Sequence, residues 1–443
     1  MKVVSYLNKK GVKHLKFVIA SHDHSDHIGG IPELVYNSGL VDNTTTYIYK
    51  TSYVDYGGGE VTQGSWQAWN NRDYSNAAIN AMQSKGANLL ETSSHTGADA
   101  LGATFGTEGD QYKDYVKFKM GDYNIKIYNL YNNTFTSTVG SNSSYITTDE
   151  NSNSLITVIT NPTGKKALLM GDINVRDRFE QYYAEVVGKV DLLKASHHGY
   201  NYSNSKYLFD KTKPSIVVIP NNKDLLNTVN MGEGGIGDFG AARIYLKDMG
   251  CKVYETGNSA DAVTVSFSDS ASVSGASEIS SKVNDGFYIW YDNDSIKKYY
   301  YIKSNKFIKN SYVTDGSKNE SGNKNWYWMD KDGVWNGSTY SFVQSGSNWY
   351  FNATKGSSYQ ARSEWVILDN TYYFNESGVM VTGWQKIKGK WYYFNTDGSM
   401  QTGWVKSDGK YYYLSPSDGS MQTENQTIKG KKYQFNSDGS LKK

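Results

Sequence analysis

The chain has 443 residues, 38% of them apolar and 20% charged, with 46 basic and 44 acidic side chains. That length points to two or three domains, and that balance excludes a membrane-embedded chain and a highly charged disordered one. The net charge of +2 gives no basic excess for non-specific nucleic-acid binding, and the single cysteine, Cys251, excludes a disulfide framework.

Aromatic residues and histidines divide the chain. Nine of the eleven tryptophans follow residue 285, whereas all seven histidines precede residue 199. No apolar run approaches the ~18 residues that a spanning helix needs. The N-terminus, MKVVSYLNKKGVKHLKFVIA, is interrupted by lysines and does not read as a signal peptide.

In chain order, VVSYLNKKG reads as a short amphipathic helix ended by Gly11, and LKFVIAS as a buried strand. TTTYIYK is a second strand and NAAINAMQSKGA a helix that stops at Gly86. DYVKFKMGDYNIKIYNLY alternates about Gly121–Asp122 as a hairpin. The apolar runs SLITVIT, KKALLMGD, VDLLKASHHG and PSIVVIPN follow, then the helix FGAARIYLKDMG and the strands CKVYET and AVTVSF. Strands alternating with helices imply a sheet covered by helices over residues 1–267. Residues 268–285 are Ser-rich and read as a linker. Residues 286–369 read as degenerate aromatic repeats, and 370–443 as regular repeats of about 20 residues.

The densest chemistry lies at FVIASHDHSDHIGG. His22 and His24 leave a strand with the same parity and can grip one ion together, while Asp26 and His27 follow the turn and can reach a second. Asp172 ends the strand ALLMGD, and His197 and His198 end DLLKASHHG. Imidazole with carboxylate suits Zn²⁺ and also permits Mn²⁺ or Fe²⁺. His14 reads as a surface residue, and Cys251 as a packed one. His95 in TSSHTG reads as an exposed loop histidine, with a loop ligand as the alternative.

SHDHSDHIGG, LLMGD and LLKASHHG resemble the metal motifs of the metallo-β-lactamase superfamily. The form is that of bacterial DNA-uptake channel proteins and of teichoic-acid phosphorylcholine esterases. The resemblance implies an α/β, αββα sandwich over residues 1–267, two divalent metal ions with zinc favoured, and metal ligands His22, His24, Asp26, His27, Asp172 and His198. It implies catalytic roles for Asp26, orienting a metal-activated water, and for His197, facing substrate. Which of His197 and His198 ligates stays open. Two departures stand out. Many members carry a further histidine ahead of the bridging aspartate, where this chain has DENSNSLIT with Asn151 and Asn153. The family fold also begins with strands ahead of the first motif, so the domain reads as truncated at its N-terminus and any signal peptide as lost with it.

The units TGWQKIKGKWYYFNTDGSMQ and TGWVKSDGKYYYLSPSDGSMQ resemble cell-wall-binding, or choline-binding, repeats. That resemblance implies a β-hairpin solenoid whose adjoining hairpins form aromatic cages for a trimethylammonium group, at Trp384, Trp391, Tyr393, Trp404 and Tyr412, with Met400 and Met421 nearby. Closely similar glucan-binding repeats leave choline and glucan both open. Together the two halves imply an extracellular, wall-associated phosphodiesterase of the phosphorylcholine-esterase type. The partner is a cell-wall polymer, and no stable nucleic-acid partner is expected. The alternatives are a nuclease-like hydrolase and a wall- or glucan-binding protein with an inactive hydrolase domain.

Overall fold

The computed structural model describes residues 2–50, 66–109, 113–131, 135–138, 144–147, 150–175, 179–200, 203–221, 239–257, 263–267, 272–276, 278–279, 283–291 and 297–442. They form two compact units, Met1–Lys306 and Phe307–Lys443. Of the Tyr- and Asn-rich stretches 43–75 and 131–150, residues 51–65, 132–134, 139–143 and 148–149 lie outside the described residues.

In the first unit, α1 (Lys2–Lys9) leads into β1 (Phe17–Ile19), and α2 (Ser25–Ile28) and α3 (Ile31–Ser38) follow. β2 (Thr46–Tyr49), α4 (Trp66–Ser84) and β3 (Asn88–Glu91) complete a parallel sheet of order β1-β2-β3. The two-residue strand period sorts its faces. Tyr47 and Tyr49 point to one side and pack with Ile28, Ile31, Val35, Ala78 and Met82 of the helices. Ile48, Phe17 and Ile19 point to the other and pack with Val116, Phe118, Ile125 and Ile127 of a second sheet. Helices, a three-stranded sheet and an eight-stranded sheet therefore stack in that order.

The second sheet contains β4 (Thr104–Gly106), the hairpin β5 (Tyr115–Met120) and β6 (Tyr123–Tyr128), β9 (Ile156–Thr160), β10 (Lys166–Leu169), β11 (Leu192–Lys194), β12 (Ile216–Ile219) and β13 (Lys252–Glu255). A separate hairpin, β7 (Phe135–Thr138) with β8 (Ser144–Thr147), precedes β9. The order is β13-β12-β11-β10-β9-β6-β5-β4. β10 to β13 run parallel, joined through α5 (Phe179–Val187), α6 (Lys206–Thr212) and α7 (Gly240–Asp248). Parallel strands end at one edge, so the turns after β10, β11 and β12 share a rim. Leu155 N–H donates to Ser21 C=O across 2.7 Å, which brings the exit of β1 to that rim.

Two boundaries differ from the sequence expectation. Ser272–Ser274, inside the expected linker, forms a strand paired with Thr264–Ser266. The aromatic hairpin of Gly286–Tyr291 with Lys297–Lys303, expected as the first degenerate repeat, belongs to the first unit. Its Ile289 and Tyr291 bury against Val175, a contact that aromatic spacing alone does not reveal.

The second unit opens with a four-stranded sheet and continues as paired hairpins at 364–374, 383–394, 403–414 and 426–433. The turn residues Lys388–Gly389 and Asp408–Gly409 all have positive φ, as two-residue hairpin turns that match strand twist require. Successive hairpins are linked by backbone hydrogen bonds, from Met400 N–H to Thr371 C=O and from Met421 N–H to Trp391 C=O, each 2.8 Å.

Candidate metal centre and aromatic joints

The rim of the first unit collects histidines from two distant turns. His22 leaves β1 buried, and His27 sits in α2, the short helix after it. Ser21 Oγ lies 3.2 Å from His22 Nδ1 and 3.1 Å from His27 Nδ1, and so fixes both rings. His22 Nε2 is 3.0 Å from His24 Nδ1. Asp172 leaves β10 through Gly171, whose φ is +57° and where a Cβ would stand 2.6 Å from Ser154 Cβ. Only glycine fits that turn. Ser154 Oγ then accepts from Asp172 N–H at 3.0 Å and lies 3.3 Å from His22 Nδ1.

Four ligand atoms meet at one point. His27 Nε2 is 3.0 Å and His198 Nε2 3.3 Å from Asp172 Oδ2, and Asp26 Oδ2 is 3.1 Å from His198 Nε2 and 3.5 Å from His27 Nε2. All four atoms lie within 4.8 Å of one another. His198 Nδ1 donates to Pro220 C=O at 3.2 Å, so Nε2 faces the cluster. His197 Nε2 stands farther out, 3.9 Å from Asp172 Oδ2, with its ring beside Tyr200. Both residues of this pair have left-handed backbone, at φ 43° and 53°. Lys194 Nζ donates to Gly171 C=O and lies 3.7 Å from Asp172 Oδ1.

The electrostatics follow from burial and pairing. Burial, then repulsion from His27, holds His22 well below its ordinary pKa and keeps the ring neutral. Hydrogen bonds to Asp172 and Asp26 raise His198 to about 9. Asp26 is lowered by its hydrogen bond from His198. For Asp172, burial works upward, yet the bonds from His198 and His27 and the nearby Lys194 ammonium leave it lowered. His95 is not in this cluster. Its ring stacks on Phe105, and Nε2 is 3.0 Å from the Tyr131 hydroxyl. Cys251 is buried, which pushes its thiol up to about 12. Sequence reasoning missed Ser21, Ser154 and Lys194. Lys194 lies inside the quoted LLKASHHG, but two serines among many carry no signal.

In the repeats, Trp365, Trp384 and Trp404 each meet a tyrosine across their own hairpin and one from the next. Trp384 lies 5.2 Å from Tyr393, 4.9 Å from Tyr412 and 6.4 Å from Trp391, ring centre to ring centre. Four of the five expected ligand-binding aromatics thus share one joint. Trp404 stands in the next one, 5.0 Å from Tyr413 and 4.9 Å from Tyr433. Trp365 repeats the pattern with Tyr373 and Tyr392, each at 5.0 Å. Tyr373, Tyr413 and Tyr433 were not singled out from the sequence, although their places in the 20-residue repeat match Tyr393 and Tyr412. Met400 packs with Tyr392 and Phe394, and Met421 packs against Gly439.

Known proteins match mainly this second region. Residues 381–425 match the choline-binding repeat family, and residues 369–380 match the cell wall binding repeat family. Choline binding protein F from Streptococcus pneumoniae is similar at 24% identity, over 40% of this chain and 58% of that one, with a TM-score of 0.22. The choline binding domain of a further Streptococcus pneumoniae protein is 45% identical, over 14% of this chain and 96% of that one, with a TM-score of 0.14. Recombination protein 2 of Haemophilus influenzae is 32% identical over 79 residues, which is 18% of this chain and 10% of that protein. The chain therefore spans about a tenth of the curated relative it matches. Residues 369–425 therefore carry choline-binding and cell wall binding repeats. No helix among the described residues is long and apolar enough to cross a membrane.

Proposed function

We propose that the chain is a wall-associated, metal-dependent hydrolase of the metallo-β-lactamase type that cleaves a phosphodiester in a choline-bearing wall polymer. One observation carries this reading: Asp26, His27, Asp172 and His198 aim one ligand atom each at a common point, from turns about 150 residues apart, in a chain that also carries choline-binding repeats. The donor set fits a divalent ion. Ligand atoms held 2.0–2.1 Å from tetrahedral zinc stand roughly 3.3 Å from one another. The four contacts here run from 3.0 to 3.5 Å. His22 and His24, 3.0 Å apart and on the same strand exit, would hold a second ion.

When bound, the ions supply an activated water and an electrophilic grip on an anionic oxygen. The chain's own groups do the rest. Asp26, exposed at the rim, would orient the activated water while its Oδ2 serves as a ligand. His197, beside Tyr200, faces the substrate and positions its phosphoryl group. Lys194 offers an ammonium on the Asp172 side of the cluster. The repeats hold the hydrolase beside polymer-borne substrate at high effective concentration.

A second reading, a nuclease-like hydrolase, takes its support from the 79-residue match to a recombination protein. Zinc content of the purified chain and turnover of p-nitrophenyl phosphorylcholine against single-stranded DNA separate the readings. Two zinc ions with turnover of the choline ester support the first. Turnover of DNA alone selects the second. A chain that binds choline resin but takes up no metal is a wall-binding protein with an inert first unit.

A further inference from the structure

Asn204 has all four of its polar groups engaged. Its side chain clamps the backbone of Ser196, accepting from Ser196 N–H at 2.8 Å and donating to Ser196 C=O at 2.9 Å. Its own N–H donates to Glu180 of α5. Its own C=O accepts from Trp290 Nε1–H at 2.9 Å. Ser196 opens the turn that carries His197 and His198, both in left-handed backbone, a conformation that non-glycine residues keep only when neighbours enforce it. Asn204 is itself buried and left-handed, at φ 62°.

Trp290 is in turn tightly placed. It is buried, with its ring 6.3 Å from Phe209 of α6, 5.3 Å from Tyr245 of α7 and 5.9 Å from Tyr300 of its own hairpin. Strand alternation sends its neighbours Ile289 and Tyr291 to the other face, where they cover Val175, three residues beyond Asp172. One short strand therefore touches the segment after Asp172 on one face. On the other it reaches the histidine turn, through Asn204.

We propose that the hairpin Gly286–Lys303 is a working part of the candidate metal centre, in which Trp290 and Asn204 are positioning residues that set the His197–His198 turn against Asp172. The hairpin resembles the repeats in composition but serves the first unit. This inference rests on the metal-site reading above. Loss of the Trp290 hydrogen bond frees Asn204 C=O and relaxes its clamp on Ser196, so His198 Nε2 loses its fixed aim at Asp172 and Asp26. Groups that orient a metal ligand from outside the coordination sphere affect affinity by about 10- to 100-fold.

The test uses the full chain, zinc, and competition with a chromophoric chelator. Trp290→Phe removes the N–H donor together with part of the buried ring. Asn204→Asp keeps the acceptor for Ser196 N–H and removes the donor to Ser196 C=O. Each is expected to weaken zinc binding about tenfold, while Trp328→Phe in the second unit leaves it unchanged. Thermal unfolding of the metal-free proteins provides the second readout. A purely structural role would lower the melting temperature with zinc affinity intact, and that result would overturn the inference. Equal affinity in wild type and both variants, with unchanged melting, would overturn it as well. A wild-type chain that takes up no zinc would overturn the metal-site reading first, and this inference with it.

Discussion

His27 Nε2 stands 3.0 Å from Asp172 Oδ2, although 145 residues separate the two along the chain. Asp172 is the buried anion about which two imidazoles and the Lys194 ammonium gather. Asp172→Asn keeps the shape and removes that charge. Two outcomes follow. Zinc uptake is lost at concentrations that saturate the wild type, read by chelator competition. In the metal-free protein, the His198 imidazole falls from about 9 back toward 6.5, read by NMR titration. An unchanged His198 titration would show that Asp26 alone holds the proton.

Much of this arrangement is legible in the sequence, and the reasons differ by element. The apolar run ending at Ala20 marks β1, and the charged cluster after it can only lie at a strand exit. The 20-residue period marks the hairpins because each repeat brings its own turn glycine. The Gly286–Lys303 hairpin is not legible, because a strand such as GFYIWY looks the same whether it packs on another hairpin or on Val175 and Phe209. The parts played by Ser21 and Ser154 are hidden too, since they depend on the contact of two sheet edges rather than on any local pattern.

Glu180 is wholly buried and accepts from the N–H groups of Asn204 and Ser205. Burial, opposed in part by those bonds, raises its carboxyl from 4.5 to about 7. Between those values the folded state keeps a proton that the unfolded state has released. The contribution to stability is therefore full below pH 4.5 and is lost as pH rises through 7, by on the order of 3 kcal/mol. Glu180→Gln cannot titrate and should flatten that slope. Urea midpoints of both proteins at pH 5, 6 and 7 measure it, and a slope that survives the substitution would assign it to another group.

Trp384 joins two hairpins through Tyr393 and Tyr412. An aromatic pair contributes about 0.5–1.5 kcal/mol beyond burial. A cation over such rings gains a further ~0.5–2 kcal/mol. Trp384→Ala should then lower affinity for free choline by roughly tenfold, read by calorimetry, and loosen retention on a choline-like resin. Trp404→Ala, in the next joint, should add to that loss independently. Retention on dextran, with no response to choline, would move the ligand of this joint to a glucan.

Gly398 occupies a turn at φ +80°, and a Cβ there would stand 2.3 Å from Met380 Sδ of the preceding hairpin. Gly419 against Met400 and Gly439 against Met421 repeat the relation. Each glycine thus serves its own turn and a pocket for the methionine before it. Gly398→Ala incurs the left-handed strain of about 1–2 kcal/mol and also pushes Met380 aside. The methionine end is flexible, so the strain dominates and Met380→Ala should restore only part of the loss. A double-mutant cycle on thermal unfolding separates the two contributions. Full recovery in the double mutant would show that packing rather than backbone strain selects glycine at this turn.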